Sequence, residues 1–252
     1  GMLIATFSGS GNPQLTEVSF ISNTSGYSGG GMTANCNSGS CSPSLVNVAF
    51  IGNQADDRGG AMYNSAQGST QLPNGVGLPT LINVTFSGNE ATNGGALYND
   101  GRSGGVSNPV FSNVILWGNT ATLGSQIRNY DADLTLDYSL VQGGDGGIED
   151  NQGHTPFSDG TGNIDADPRF VDAANGDLRL QLTSPAIDAG DNTAVPVTIT
   201  TDLDSYPRFV DISDVPDTGK GSPPLVDIGA YEAQREISIY LPLVMRRVES
   251  KQ

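Results

Sequence analysis

Apolar residues in the first half of the chain recur in short alternating runs. Leu45, Val48 and Phe50 lie on one side of such a run. Rough alternation is the periodicity of a strand, whereas apolar positions on a helix recur every 3.6 residues. A glycine pair follows, and a second short run begins with an apolar residue at Met62. This pattern predicts two short strands joined by a tight turn.

The same unit occurs four times. The segments LTEVSFISN, LVNVAFIGN, LINVTFSGN and FSNVILWGN are offset by 30, 36 and 30 residues and begin at Leu15, Leu45, Leu81 and Phe111. The shared apolar columns are Val18, Val48, Val84 and Val114; Phe20, Phe50, Phe86 and Leu116; and Met32, Met62, Leu97 and Ile127. One unit cannot bury its apolar face alone, but stacked copies can, with equivalent strands about 4.8 Å apart. The repeats therefore predict stacked coils of parallel strands.

Each copy also carries an asparagine at the end of its first strand, and in the first three copies the glycine pair follows a few residues later. This column contains Asn23, Asn53, Asn89 and Asn119. Asparagine can hydrogen-bond to its equivalents in neighbouring coils, and glycine permits positive φ and close approach of the next coil. We therefore interpret the repeated turn as a structural ladder without a catalytic role.

Composition narrows the function classes. The chain has 252 residues, 34 of them glycine, and a formal net charge of −16 with only 11 Lys and Arg. Abundant glycine disfavours ordinary helices. So few basic residues cannot form the positive patch that nucleic acid or an anionic membrane needs. No run approaches the roughly 20 apolar residues of a membrane span, so we expect an all-β protein with neither a nucleic-acid partner nor a membrane span.

The two cysteines, Cys36 and Cys41, lie in CNSGSC. Four small or polar residues between them permit a loop-closing disulfide. Two free thiols or a metal site are the alternatives, although one histidine cannot complete a zinc site. A disulfide implies an oxidising compartment, and with the acidic charge it favours an extracellular or cell-surface location.

The pattern F..GN.A...GGA.YN resembles the repeats of right-handed parallel β-helix proteins. It is most similar to the GGA-I and FxxN repeats of bacterial polymorphic outer-membrane proteins and related adhesins. The resemblance covers residues 12–130, and LTLDYSLVQGG reads as a degenerate fifth coil. It implies that residues 1–150 form the coils of a right-handed parallel β-helix in a bacterial surface protein.

From about Asn163 the composition changes. The motifs DPRF, GDLRL, SPAIDAG, PR and DIGAYE follow in order and resemble the C-terminal region of bacterial β-helix proteins labelled choice-of-anchor Q. The resemblance implies that residues 151–235 form an irregular cap that completes the last coils of a secreted or surface-attached protein. It implies no reaction.

Residues 236–252 form a separate apolar tail. Five apolar residues share one face at a period of two, and Tyr240 lies on the other. The segment is too short to span a membrane as a helix. It could be a strand on the flank of the coils, a strand donated to a neighbouring subunit, or a sorting tail. The candidate assembly residues are Ile237, Ile239, Tyr240, Leu241, Leu243 and Met245.

Calcium is the one cofactor for which the sequence offers candidates. Asp188 and Asp191 in DAGDN place oxygen donors close together in a turn, as do the aspartates of DADP and TDLD. Such donors suit Ca²⁺. The alternative is that these aspartates cap turns by binding their own backbone.

Parallel β-helices often carry polysaccharide lyases or hydrolases. Lyase chemistry needs a base and cations that neutralise the uronate, yet the coils offer only Arg58, Arg102 and Arg128. Hydrolysis needs two carboxylates at a fixed separation, and the sole histidine, His154, lies in a predicted loop. We therefore expect no enzymatic activity.

The sequence thus predicts an all-β right-handed parallel β-helix with an irregular C-terminal cap and a terminal apolar strand. The predicted function is structural or adhesive, at the bacterial surface. The predicted partner is the protein itself, assembled end to end into filaments through coil edges or the C-terminal strand. The alternative is a protein that binds or degrades carbohydrate, with surface glycans as its partners.

Overall fold

Parallel sheets of short strands form most of the structure. The computed structural model describes residues 1–6, 9–68 and 75–235. In spatial order, the long-strand sheet consists of Gln14–Ile21, Ser44–Ile51, Thr80–Ser87 and Val110–Trp117, followed by Thr135–Asp137 and Leu140–Val141, which both pair with Val110–Trp117. The short-strand sheet consists of Met2–Ala5, Met32–Asn35, Met62–Ser65, Leu97–Asp100, Ile127–Tyr130 and Ile148–Asp150. The prediction of an all-β chain with parallel strands is confirmed.

Strands that pair in these sheets are one repeat apart in sequence. Leu81 pairs with Leu45 on one side and with Phe111 on the other, and Leu97 likewise pairs with Met62 and Ile127. The chain thus passes through both sheets once per repeat before it reaches the next layer. This arrangement is consistent with a β-helix or solenoid.

The loop between repeats contains a third strand that the sequence did not predict. Ser40–Cys41, Val76–Gly77 and Val106–Ser107 form a small parallel sheet. Two-residue strands are too short to show a period in the sequence. A further small pair joins Thr24–Ser25 to Gln54–Ala55.

The long strands bend at one position, and this explains why their apolar residues alternate only roughly. Asn47, Asn83 and Asn113 have φ of 52°, 54° and 57°, and they are skipped in the strand register. The bend inserts one extra residue, so that both Leu81 and Val84 point into the core. Asparagine suits this position because it tolerates left-handed backbone conformations.

The apolar columns meet in one core between the sheets. Phe20, Phe50 and Phe86 stack with ring centroids 4.7 Å apart and planes 6° from parallel. The first glycine of the pair has positive φ, as at Gly94 with 66°, and a Cβ on the second, Gly95, would lie 2.7 Å from the backbone nitrogen of Thr120. Both expected roles of the glycine pair, positive φ and close approach, are therefore present.

The segment predicted to cap the coils, residues 151–235, covers the end of the coils with one part and their flank with the other. Phe157, in the short helix Pro156–Asp159, packs against the last coil of the core. Residues 165–235, which we name the flank segment, then run along the outer face of the long-strand sheet and form a second core there, with Ile115 and Leu140. The remaining elements are the antiparallel pair Phe170–Asp172 and Asp177–Leu180 and the 3₁₀ turns Gly144–Gly147, Ala173–Asn175 and Asn192–Ala194.

The apolar tail predicted to mediate assembly, residues 236–252, lies outside the described residues. Within the described ranges, the helices are all too short to cross a membrane.

Candidate functional site

The asparagine column predicted from the repeats forms a continuous hydrogen-bonded ladder. Asn53 donates to Asn89 Oδ1 through both its backbone N–H and its Nδ2, each at 2.9 Å. Asn23 and Asn89 make the same two bonds to Asn53 and Asn119. Asn119 ends the ladder by donating to Gln126 Oε1 at 2.7 Å. The amides also donate to the carbonyls of Phe20, Phe50 and Phe86, so the column contributes structure.

A second ladder lies on the outer side of the long strands, and the sequence analysis missed it. Asn113 donates to Asn83 Oδ1 at 3.0 Å, and Asn83 donates to Asn47 Oδ1 at 3.1 Å. The flank segment binds this ladder, because the N–H of Asp191 donates to Asn113 Oδ1 at 2.7 Å and Asn47 donates to the carbonyl of Thr201. The sequence signal was the asparagine that precedes the valine in LVNV, LINV and FSNV.

Cys36 and Cys41 are joined by a disulfide. Their Cα atoms are 5.4 Å apart, and both side chains are fully buried at the edge of the core. The bridge closes the loop that leads into the small parallel sheet of Ser40–Cys41, Val76–Gly77 and Val106–Ser107.

The three arginines of the coils lie on one outward face, although 26 and 44 residues separate neighbouring ones in the sequence. Met62 and Leu97 point into the core, so their neighbours Tyr63 and Tyr98 point outward. We name the resulting surface of the short-strand sheet the Arg–Tyr face. It consists of Tyr27, Arg58, Tyr63, Tyr98, Arg102, Arg128 and Tyr130.

Guanidinium groups stack on tyrosine rings along this face. Arg128 lies 5.9 Å from the ring centroids of both Tyr98 and Tyr130, and Arg58 lies 5.5 Å from that of Tyr98. These are distances at which cation–π attraction contributes. Burial, and after it the charge of Asp100, raises the pKa of Tyr63 and Tyr98, so both phenols stay protonated at neutral pH.

Asp100 is the buried carboxylate at the centre of the face. It accepts hydrogen bonds from Arg102 Nε at 2.8 Å, Arg102 Nη2 at 2.6 Å, Gln67 Nε2 at 2.7 Å and the hydroxyl of Tyr63 at 2.9 Å. Burial alone would raise its pKa, but the hydrogen bonds from Arg102 and Gln67 outweigh burial and lower the pKa below its usual value. Asp100 is therefore a charged structural anchor.

The other two arginines are also matched by carboxylates. Arg58 Nε lies 3.2 Å from Asp57 Oδ2. Arg128 Nε lies 3.2 Å from Glu149 Oε2, close enough for an ion pair but not aligned as a hydrogen bond. Each arginine of the face thus has its own carboxylate, so the face is locally balanced in charge while the whole chain carries −16.

The two aspartates predicted to share a calcium ion have different surroundings. Asp191 is occupied by Thr193, whose N–H and hydroxyl donate to Oδ1, and by Lys220 Nζ at 2.9 Å from Oδ2. Burial would raise the pKa of Asp191, but these donors lower it. Asp188 lies instead beside Asp211 and Asp217. The aspartates of the other two motifs mostly cap turns, as Asp202 does by accepting from the N–H groups of Asp204 and Tyr206.

A buried charged cluster ties the flank segment together. Arg208 and Asp227 are fully buried and Glu232 almost so. Arg208 donates to the carbonyls of Asp227 and Gly229 at 2.7 Å, and its Nε lies 3.6 Å from Glu232 Oε2. Burial raises the pKa of both carboxyls. The three residues come from the PR and DIGAYE motifs, to which the sequence analysis assigned no individual roles.

His154 lies in a loop, as predicted, with 44% of its side chain exposed. Its Nδ1 is 3.5 Å from Asp133 Oδ1 and 3.5 Å from Asp150 Oδ2. Asp150 is already committed to the backbone N–H of Gln152 at 2.8 Å and to the amide of Asn129. The histidine therefore lies between two carboxylates at the end of the short-strand sheet.

Comparison with known families finds one match. Residues 83–100 match the Chlamydia polymorphic membrane protein (Chlamydia_PMP) repeat. These residues form one complete corner of a coil. They run from the bend at Asn83 through the asparagine ladder and the glycine pair to Asp100. No curated protein and no solved structure matches this chain. The match suggests a bacterial surface or outer-membrane-type protein.

Proposed function

We propose that this protein is an extracellular structural or adhesive component of a bacterial surface, built as a right-handed parallel β-helix. The repeat match at residues 83–100 carries this proposal, and the stacked strands around that corner support it. The choice-of-anchor Q resemblance of residues 163–232 points to the same location. Labelling intact producing cells with antibodies against the purified chain tests the location. Labelling only after lysis would contradict it.

The proposal includes no enzymatic activity. The cations that a lyase would use to neutralise a uronate are already paired within the Arg–Tyr face, with Asp57, Asp100 and Glu149. The amides of the predicted column bind one another. Incubation with acidic and neutral polysaccharides, followed by reducing-end and 235 nm absorbance assays, should show no turnover above that of heat-denatured protein.

We further propose that the structural role is carried out by copies of the chain that assemble end to end. In the described residues, the end strands Met2–Ala5 and Gln14–Ile21 have a parallel neighbour on one side only. Leu3, Ile21 and Tyr27 are exposed around this end. A strand edge with apolar side chains can pair with another strand, and a head-to-tail contact that does not close on itself propagates.

Electron microscopy across a concentration series tests the assembly. Three proteins are compared with the full chain: a version ending at Arg235, the edge variant Ile21→Lys, and the control Val197→Lys, at a residue 97% exposed on the flank segment. Fibres lost only on truncation would place the contact in the tail, and fibres lost only in Ile21→Lys would place it at the coil edge. Single particles throughout would rule out the filament and leave a monomeric adhesin.

Carbohydrate binding is the second candidate, and the Arg–Tyr face favours it. Tyr27 is exposed, Tyr130 is half-buried, and the arginines beside them are partly exposed. Such rings and donors suit sugar faces and hydroxyls. A glycan array with the full chain, Arg128→Ala and the flank control Arg169→Ala tests it. Binding by the full chain and by Arg169→Ala, but not by Arg128→Ala, would support this candidate. Equal signals from all three proteins would contradict carbohydrate binding at the Arg–Tyr face.

A further inference from the structure

Asp188 is a carboxylate enclosed by a loop rich in acidic residues. It is fully buried, with φ of 51°. Its carbonyl accepts from the N–H groups of Thr218 and Gly219, both at 3.0 Å, and its Oδ2 accepts from the N–H of Ile212 at 3.3 Å. Residues 211–219 are thereby fixed around Asp188, which places their aspartates next to its side chain.

Two of these aspartates complete a group of three carboxylates. One oxygen each from Asp188, Asp211 and Asp217 lies within 4.8 Å of the other two. Oxygens that share a Ca²⁺ ion at about 2.4 Å can be up to about 4.8 Å apart. Asp211 and Asp217 are exposed, so the group is open to ions from solvent on one side and bounded by Asp188 on the other.

An unsatisfied atom within this group points to a ligand. Oδ1 of Asp188 is buried and has no hydrogen-bond partner among the described residues. A buried, unpaired carboxylate oxygen is costly, and two further carboxylates beside it increase the cost by repulsion. A bound cation would satisfy the buried oxygen and offset the repulsion together.

We propose that Asp188, Asp211 and Asp217 form a divalent cation site that takes Ca²⁺. Three carboxylates are hard oxygen ligands, and two of them are on an exposed irregular loop, which suits the flexible coordination of Ca²⁺ better than the strict octahedron of Mg²⁺. Water molecules and backbone carbonyls occupy the remaining coordination positions of the ion. The ion adds to the hydrogen bonds that already hold residues 211–219 around Asp188. This site is independent of the proposed surface function.

Calcium titration of the full chain tests the site. Chelator-treated protein in about 0.15 M NaCl, which screens the overall negative charge, is titrated with CaCl₂ in a calorimeter. In parallel, its unfolding temperature is measured with CaCl₂, MgCl₂ or EDTA. We expect one saturable Ca²⁺ per chain, and a rise in the unfolding temperature of about 3–5 °C at ten times the dissociation constant. No saturable binding together with an unchanged unfolding temperature would overturn the proposal, and tighter binding of Mg²⁺ than of Ca²⁺ would overturn the assignment of the ion.

Exposed ligand variants locate the ion without disturbing the buried core. Asp217→Asn and Asp211→Asn should each weaken Ca²⁺ binding about tenfold or more, because affinity follows the charge and number of ligands. Asp214→Asn is the matched control: it removes one charge from the same loop, but its residue pairs with Arg235 and lies outside the group of three. Equal weakening in all three variants would indicate diffuse attraction to an acidic loop and would refute the site, as would unchanged binding in Asp211→Asn and Asp217→Asn.

Discussion

The backbone N–H of Ala230 donates a hydrogen bond to Thr85 Oγ1 at 2.9 Å, although the two residues are 145 positions apart. Thr85 lies in the middle of a long strand, and Ala230 belongs to the DIGAYE motif. Gly229 allows this contact, because a Cβ there would lie 2.7 Å from Ile115 Cδ1 and 2.9 Å from Thr85 Oγ1. The flank segment is thus held directly against the outer face of the coils.

Replacing Thr85 by valine should loosen this attachment. The variant leaves the buried N–H of Ala230 unpaired, which costs about 1–3 kcal/mol. Hydrogen exchange at the Ala230 amide and the free energy of unfolding in urea are the measurements. Thr16→Val, at an exposed position of the same sheet, is the control and should change neither. Unchanged exchange in Thr85→Val would show that the hydrogen bond does not hold the segment.

Replacing Asn89 by alanine should break the predicted ladder at its centre. Asn89 accepts two bonds from Asn53 and donates to Asn119 Oδ1 and to the carbonyl of Phe50. Losing all four and leaving buried partners unpaired should cost more than about 3 kcal/mol of unfolding free energy. Gln152→Ala removes an exposed amide and should have little effect. Similar stability of both variants in urea would argue against a structural ladder.

The glycine pair provides a matched test within one column. A methyl group at Gly95 would lie 2.7 Å from the backbone nitrogen of Thr120, so Gly95→Ala must push two coils apart. We expect a loss of more than about 3 kcal/mol, or failure to fold. Ser125 occupies the equivalent position of the last full repeat. Ser125→Ala should leave stability within about 0.5 kcal/mol of the original protein. A tolerated Gly95→Ala would mean that the coils are less closely stacked than described.

Acid stability should depend on the pair formed by the buried Asp100 and the partly exposed Arg102. Because the pKa of Asp100 is lowered in the folded state, its contribution is complete above its unfolded pKa of about 4 and is lost as the pH falls from there through the lower folded pKa. Arg102→Gln should cost about 1–3 kcal/mol at neutral pH and should shift acid unfolding to higher pH, measured by circular dichroism.

The exposed pair of Asp177 and Arg179 is the control for this effect. It has the same spacing and the same two-point contact, but more than half of the Arg179 side chain is exposed. Surface pairs contribute little because water screens them. Arg179→Gln should therefore leave the acid midpoint nearly unchanged, and an equal shift in both variants would contradict the role given to burial.

The disulfide closes a very short loop, so its contribution should be modest. The double variant Cys36→Ala, Cys41→Ala should lose about 2 kcal/mol of unfolding free energy by loop entropy, with a further loss because two fully buried sulfur atoms are removed from the core. Urea unfolding with and without a reductant is the measurement. If the reductant destabilises the original protein but not the variant, the bridge is the cause. Equal sensitivity to the reductant would contradict this.

The spacing of the sequence repeats determined which equivalent residues of neighbouring coils lie next to each other. Phe20, Phe50 and Phe86 share a column in the sequence and stack in the structure, and the Asn23 column became the ladder that it predicted. In a stacked array each residue meets its own equivalent in the next coil. Spatial neighbours can therefore be found from sequence spacing alone.

Only the tertiary structure decided the rest. Asp188 lies beside Asp211 and Asp217 rather than beside Asp191. The chain folds back between Asp188 and these residues, and because none of them belongs to a sequence repeat, their spacing does not predict the contact. Arg58, Arg102 and Arg128 share a face because loops of different length still return each coil to the same sheet. The asparagines at positions 47, 83 and 113 became a site for the flank segment only when a nonrepetitive segment packed on them. The repeated sequence thus specifies contacts between coils, whereas contacts between dissimilar segments depend on how the chain packs in three dimensions.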